Sequence, residues 1–224
     1  LCCVSQLCAT DYVVISEIMY DTPLSEDSTT WRHNYGEYIE LYNESSNIVD
    51  LSGWSIETIN PHQVFTIPTG VLLHPKSTLI VAYGEEDVIS YSIGDMTEDE
   101  FMRGMTDFHW LYEITDPTLY QIVLQTSLTL PNQYTILLLK DDLGVTKDSV
   151  RYEDPYPESL DNARNNYPVI PDGDAYRGCL NTMYSLQRTH VSIVQGNVVY
   201  RSTDWLGRLM NSQSDVYENN TLGY

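Results

Sequence analysis

The stretch Gly36 to Trp54, GEYIELYNESSNIVDLSGW, decides the fold. Tyr38-Ile39-Glu40-Leu41-Tyr42 alternates in size and polarity at a period of two, the pattern of a half-buried strand. Asn43 to Asn47 (NESSN) is a run of turn formers that ends it. Ile48-Val49-Asp50-Leu51 resumes an extended chain, Ser52-Gly53 turns it, and Trp54 follows as a large apolar anchor for the core.

Outward from this stretch the chain keeps reading as short strands between turn signals. The spacing predicts strands at 11–20, 37–43, 49–56, 64–67 and 78–83, each bounded by Gly, Pro, Asn or Ser. Asn60-Pro61 and Pro68-Thr69-Gly70 are turns, because proline fixes φ and glycine tolerates positive φ. Further strands are expected at 121–128 and 134–140, joined across Leu130-Pro131-Asn132. Asp141-Asp142-Leu143-Gly144 then turns the chain into 145–152. Between them, residues 84–119 break the pattern. Thr97-Glu98-Asp99-Glu100 fits a capping box, and Phe101, Met105, Phe108 and Tyr112 recur at helical spacing. One short inserted helix is expected there, its apolar stripe packed on the sheets rather than on a cofactor. Residues 153–184 read as a long loop with four prolines, and 191–201 as a hairpin around Gln195-Gly196-Asn197.

These segments, in this order, carry a resemblance. VISEIMY (14–20), GEYIELYN (36–43) and VDLSGW (49–54) are similar to the opening strands of the lamin tail domain as it occurs in secreted proteins. FTIP (65–68), VLLHPKSTLIVAY (71–83) and YTILLLKDDLGVTKDSVRY (134–152) resemble the strands that follow, the last with its "v-x-D-s-v-x-Y" ending. Ser185-Leu186-Gln187-Arg188 and Asp204-Trp205 are similar to a late "SLxR" strand and a "dW" pair in such members. The resemblance implies an all-β, immunoglobulin-like β-sandwich, here with a short helical insertion. It also implies an accessory or adhesion module beside secreted hydrolases or surface proteins. No heptad run is present, so the coiled-coil rod of a nuclear lamin is absent from this sequence.

Composition bounds the partners. The 224 residues suit one large β domain, and 18 tyrosines suit sheet faces that are half covered. Eleven Lys and Arg against 32 Asp and Glu give a formal charge of −21, which repels nucleic acid and anionic membranes alike. DNA or chromatin binding is therefore disfavoured. Calcium is the one cation the sign favours, and no cofactor is implied. No apolar run reaches the roughly 18 residues a membrane span needs. LCCVSQLCA (1–9) has two readings: the back of a signal peptide, which makes 1–10 a remnant and the protein secreted, or a first strand with Cys2, Cys3 or Cys8 bridged to Cys179. The domain is expected over 11–206 and a polar tail over 207–224.

Candidate chemistry is sparse. No G-x-S-x-G elbow exists, and Cys179 beside Arg177 fits a structural cysteine better than a nucleophile. His33, His62, His74, His109 and His190 are scattered, with no pair at zinc spacing. Asp172-Gly173-Asp174 begins like a calcium loop, but no closing Glu follows. Glu17 and Glu40 stand on neighbouring strands. Side by side they would share a proton or hold a cation, the basis of a calcium-dependent hydrolase reading; otherwise they face solvent or meet Arg and Lys partners. Trp31 in a polar loop and Trp110 in the insertion are candidates for stacking on a sugar or anchoring a protein, whereas Trp54 belongs to the core and Trp205 to a sandwich edge. Asn43-Glu44-Ser45 and Asn219-Asn220-Thr221 fit glycosylation sequons. No catalytic or metal site is assigned. A non-catalytic module for an unidentified protein or glycan partner is the function expected.

Overall fold

The computed structural model describes residues 12–21, 36–84, 120–131, 134–153, 184–194, 197–199 and 205–209. Every described element is a strand. In chain order they are β1 (Val13–Asp21), β2 (Tyr38–Asn43), β3 (Val49–Asp50), β4 (Ser55–Ile59), β5 (His62–Thr66), β6 (Leu72–Leu73) and β7 (Thr78–Tyr83). Then come β8 (Ile122–Gln125), β9 (Tyr134–Lys140), β10 (Thr146–Glu153), β11 (Tyr184–Arg188), β12 (Ser192–Val194), β13 (Asn197–Val199) and β14 (Trp205–Leu209). One sheet has the order β14-β11-β1-β2-β7-β8 and the other β10-β9-β4-β5. Two small ribbons, β3-β6 and β12-β13, complete the immunoglobulin-like sandwich.

The core lies between the two sheets. Ile18, Ile39, Leu41, Leu79, Val81 and Leu186 face it from one side, and Ile56, Phe65, Leu137, Leu139, Val150 and Tyr152 from the other. Trp54 belongs to this cluster, as its place in the motif implies. It closes the corner between β3 and β4, where Trp54 N–H donates to Leu51 O (3.0 Å) and Ile67 N–H donates to Trp54 O (2.8 Å). The extended run expected over 49–56 is thus split in two. Gly53, at φ +77°, turns the chain so that β3 pairs with β6 and β4 enters the second sheet.

The alternation in β2 does not mark a half-buried strand. Ile39 and Leu41 face the core, yet Tyr38 and Glu40 on the opposite face are buried as well. Val14, Glu17, Met19, Ile80 and Ala82 share that second buried face. This explains why β1 reads VVISEIMY rather than alternating cleanly, since a sheet covered on both sides needs apolar residues at both parities.

Two connections also differ from the antiparallel pattern expected. β8 runs parallel to β7, with Ile80 opposite Ile122 and Tyr83 opposite Gln125. Parallel neighbours require a long crossover, and the departure at 84–119 is the chain that supplies it. The helix expected in that insertion lies outside the described residues, as does the long loop of 153–184 apart from its two ends. β8 and β9 do not form a hairpin, because β8 ends in the first sheet and β9 begins in the second. The crossing at 126–131 is pinned by side chains. Gln125 Oε1 accepts from Leu128 N–H (2.7 Å), Gln63 Oε1 from Thr129 N–H (2.9 Å), and Glu37 Oε2 from Leu130 N–H (2.8 Å).

Candidate functional site

Glu17 and Glu40 stand directly opposite one another across β1 and β2. A bulge at Ser16 brings this about. The register steps from Ile15 opposite Leu41 to Glu17 opposite Glu40, so one extra residue sits on β1. Val13 and Ile15 face the core before the bulge, Ile18 and Tyr20 after it. Strict alternation would put Glu17 in the apolar core, and the bulge turns it onto the other face beside Glu40. Neither carboxyl reaches water, Glu17 being 1% and Glu40 3% exposed. Tyr38 Oη donates to Glu17 Oε1 at 2.6 Å, and Gln187 Nε2 donates to the same oxygen at 3.2 Å. Ser16 Oγ donates to Glu40 Oε1 at 2.6 Å. Of the readings open for these acids, the register sets them on opposite positions of neighbouring strands, and their burial rules out the solvent-facing one. Their hydroxyl and amide neighbours tie them into the sheet.

Glu37, from the opening motif, is a third buried acid and was not singled out by the sequence. Besides the Leu130 amide on Oε2, its Oε1 has no hydrogen-bond partner. Burial pushes its carboxyl well above the usual carboxylate range, against the lowering pull of that amide. Tyr38, Ile39, Val81, Gln125, Leu128 and Leu130 close around it, leaving no space for a water. Tyr152 is sealed nearby. Its hydroxyl donates to Pro131 O (3.0 Å), and its phenol is pushed well up, first by burial and then by the charges of Glu37 and Tyr20.

Asp148 and Arg188 form a polar contact across the sandwich. Arg188 Nη1 meets Asp148 Oδ2 at 2.7 Å and Nη2 meets Oδ1 at 3.1 Å, a two-pronged pair with both side chains buried. Ile15 N–H also donates to Asp148 Oδ2 (2.8 Å), and Ser149 N–H to Oδ1 (2.8 Å). A signal for this pair stood in the sequence. Asp148 has the parity of Val150 and Tyr152, and Arg188 that of Leu186, so each is a charge at a core-facing position.

Asn43, the acceptor position of the first sequon, is built into the fold. It is fully buried, its Nδ2 donates to Asn47 O (2.7 Å) and Leu73 O (2.9 Å), and its Oδ1 accepts from Ser45 N–H (2.9 Å). Both of its amide hydrogens are committed, and an N-linked glycan would have to replace one of them. The NESSN turn is built on this side chain.

The loops at that end of the sandwich carry exposed apolar side chains. Ile48 (54%) and Leu72 (45%) flank Asp50 on the outward face of the β3-β6 ribbon. Leu143 (82%) and Val145 (53%) cap the β9-β10 turn. The two loops approach each other at Gly53 and Asp142, where a Cβ on Gly53 would lie 3.6 Å from Asp142 Cβ. Each group has a carboxylate beside it. Ser52 hydroxyl and amide donors hold Asp50 below the usual carboxylate range, and Lys147, then the Val145 and Leu143 amides, do the same for Asp141.

Among the described residues, no group of three or more His, Cys, Asp or Glu is placed to hold a metal, and no helix is long and apolar enough to cross a membrane. His62 approaches Glu57 at 3.8 Å and is exposed, as are His74 and His190. β14, which carries Trp205, is the edge strand of the first sheet. Trp31, Trp110, His33, His109, all four cysteines, Asp172, Asp174 and Asn219 lie outside the described residues.

The model of one family, the Lamin Tail Domain, matches residues 8–154. No curated protein gives a significant match. Among solved structures, a DUF4876 family protein from Bacteroides thetaiotaomicron is similar over 92% of this chain and 70% of its own, at 15% identity and a TM-score of 0.42.

Proposed function

The chain belongs to the lamin tail domain family, and from that membership we propose that it is a non-catalytic binding module of an exported protein, docking a protein partner through its loop end. One observation carries the reading: Ile48, Leu72, Leu143 and Val145 are large apolar side chains left exposed at one end of the sandwich, where the 44–53 and 141–146 loops approach each other at Gly53 and Asp142. Their chemistry fits a protein better than a glycan, because aliphatic side chains cannot stack on a sugar face as aromatics do. Asp50 and Asp142 beside them, and the −21 charge of the whole chain, favour a partner with an apolar centre and a basic rim. The alternative of a calcium-dependent hydrolase draws little support from Glu17 and Glu40. Both are buried and committed to hydroxyl and amide donors, whereas metal-assisted hydrolysis needs acids open to substrate and water.

The test is binding of the purified chain to purified exported proteins encoded beside it, at low and high salt. A partner bound by the wild type and lost by Leu72→Asp with Leu143→Asp, at unchanged Tm, supports the reading. Equal binding by the variant would move the interface elsewhere. Turnover of glycoside, peptide or phosphodiester substrates would overturn the non-catalytic assignment.

A further inference from the structure

The family match ends at residue 154, and the strands up to β10 already account for both sheets except at the open edge of β1. That edge is filled from beyond the match, by β11. The pairing is antiparallel, with Ser185 opposite Met19, Leu186 opposite Ile18 and Gln187 opposite Glu17. Three side chains of this short segment have a made place, while the buried Ser185 hydroxyl has no hydrogen-bond partner among the described residues. Ser185 is buried, Leu186 enters the core, Gln187 donates to Glu17, and Arg188 forks onto Asp148. The carboxylate that receives the fork is set by other residues, the Ile15 and Ser149 amides, neither of which belongs to β11. The socket is therefore defined by β1 and β10, and β11 enters it as a ligand enters a site.

We infer that the β1 edge, with Asp148 at one end, is a peptide-acceptor site which the chain fills with its own Ser185–Arg188 segment. The ligand class it selects is an extended strand reading small, leucine, polar, arginine. Backbone pairing along β1 supplies sequence-independent affinity. Leu186 and Arg188 supply the selection, because a buried carboxylate without its guanidinium is strongly disfavoured. Lysine is a poor substitute, since a point charge cannot satisfy both carboxylate oxygens in one plane. Covalent connection to β10 keeps the segment at high local concentration, which favours the occupied state.

The experiment cuts this connection after folding. A specific protease site with Gly-Ser spacers is placed in the full chain between residues 165 and 166, and the folded protein is cleaved. The expected result is that the two pieces co-elute at the mass of the uncleaved monomer. A synthetic peptide of residues 184–209 should then exchange with the bound piece, whereas the same peptide carrying Arg188→Met should compete about 100-fold less well. The Arg188→Lys peptide should fall between them. Because every peptide competes for the same cleaved body, no chain substituted at Arg188 has to fold. Separation of the pieces on cleavage, or equal competition by the Arg188→Met peptide, would overturn the proposal. So would elution of the cleaved protein as a strand-exchanged dimer.

Discussion

The rings of Tyr20 and Tyr152 stack face to face across the sandwich, centroids 4.3 Å apart and planes 19° from parallel. One belongs to β1 and the other to β10, so this contact joins the two sheets at the end opposite the exposed loop patch. Two variants separate its parts. Tyr152→Phe keeps the stack and loses the hydrogen bond to Pro131 O, at an expected cost of about 0.5–1.5 kcal/mol. Tyr152→Ala loses the ring and leaves a cavity, at about 3–5 kcal/mol. Urea unfolding of both variants measures the difference, and equal costs would show that the ring contributes nothing beyond its hydroxyl.

Asn43 organises the NESSN turn from inside. Asn43→Asp keeps the oxygen that accepts from Ser45 but loses both donated bonds, leaving Asn47 O and Leu73 O to find other partners. A loss of about 2–3 kcal/mol is expected. Expression in a glycosylating host should give intact protein with no glycan at Asn43, checked by peptide mass mapping. A folded species carrying sugar there would contradict the buried placement.

Glu37 gives stability a pH dependence whose sign follows from its surroundings. Burial raises its carboxyl in the folded state, so the native protein holds this proton more tightly than the unfolded chain. The stability it contributes is complete below the unfolded carboxylate range and is lost as pH rises through the folded value. Glu37→Gln cannot ionise, and its oxygen can still accept from Leu130. The urea midpoint of the variant should therefore fall less than that of the wild type as pH climbs from 4 to 8. Parallel curves would refute this. Asp141 acts in the opposite sense, since Lys147 holds its carboxyl low; its contribution is present above the unfolded carboxylate range and is lost as pH falls through the folded value.

Tyr38 reports on the pair of acids at the centre of the second buried face. Tyr38→Phe removes the 2.6 Å donor from Glu17 and should cost about 1–3 kcal/mol, read by chemical denaturation. Added calcium should leave Tm unchanged in wild type and variant. A calcium-dependent rise, reversed by EDTA, would mean that the acids hold a cation after all.

Strand positions were legible wherever alternation met a turn former. β7 and β9 fall at their expected bounds, and β1, β2, β10 and β11 within a few residues. Trp54 was legible as core because a large apolar side chain after a Ser-Gly turn has few other places to go. The pairing of Glu17 with Glu40 was legible as adjacency, but not as burial. The bulge at Ser16 leaves no mark in composition, and what covers the second face of a sheet is never written in the strand itself. Glu37 and Asp148 were hidden in plain view inside quoted motifs, as an acid within an apolar run and an acid at core parity.

By itself, the sequence determined the local order of strands and turns, the acidic charge and the family, because these depend on neighbours along the chain and on composition. Tertiary structure alone decided that β8 runs parallel to β7, that the Asn43 side chain is locked inside the fold, and that Arg188 finds Asp148. Each of these depends on contacts between residues far apart in the chain. Period and propensity describe only which way a residue faces, not what folding brings to meet it.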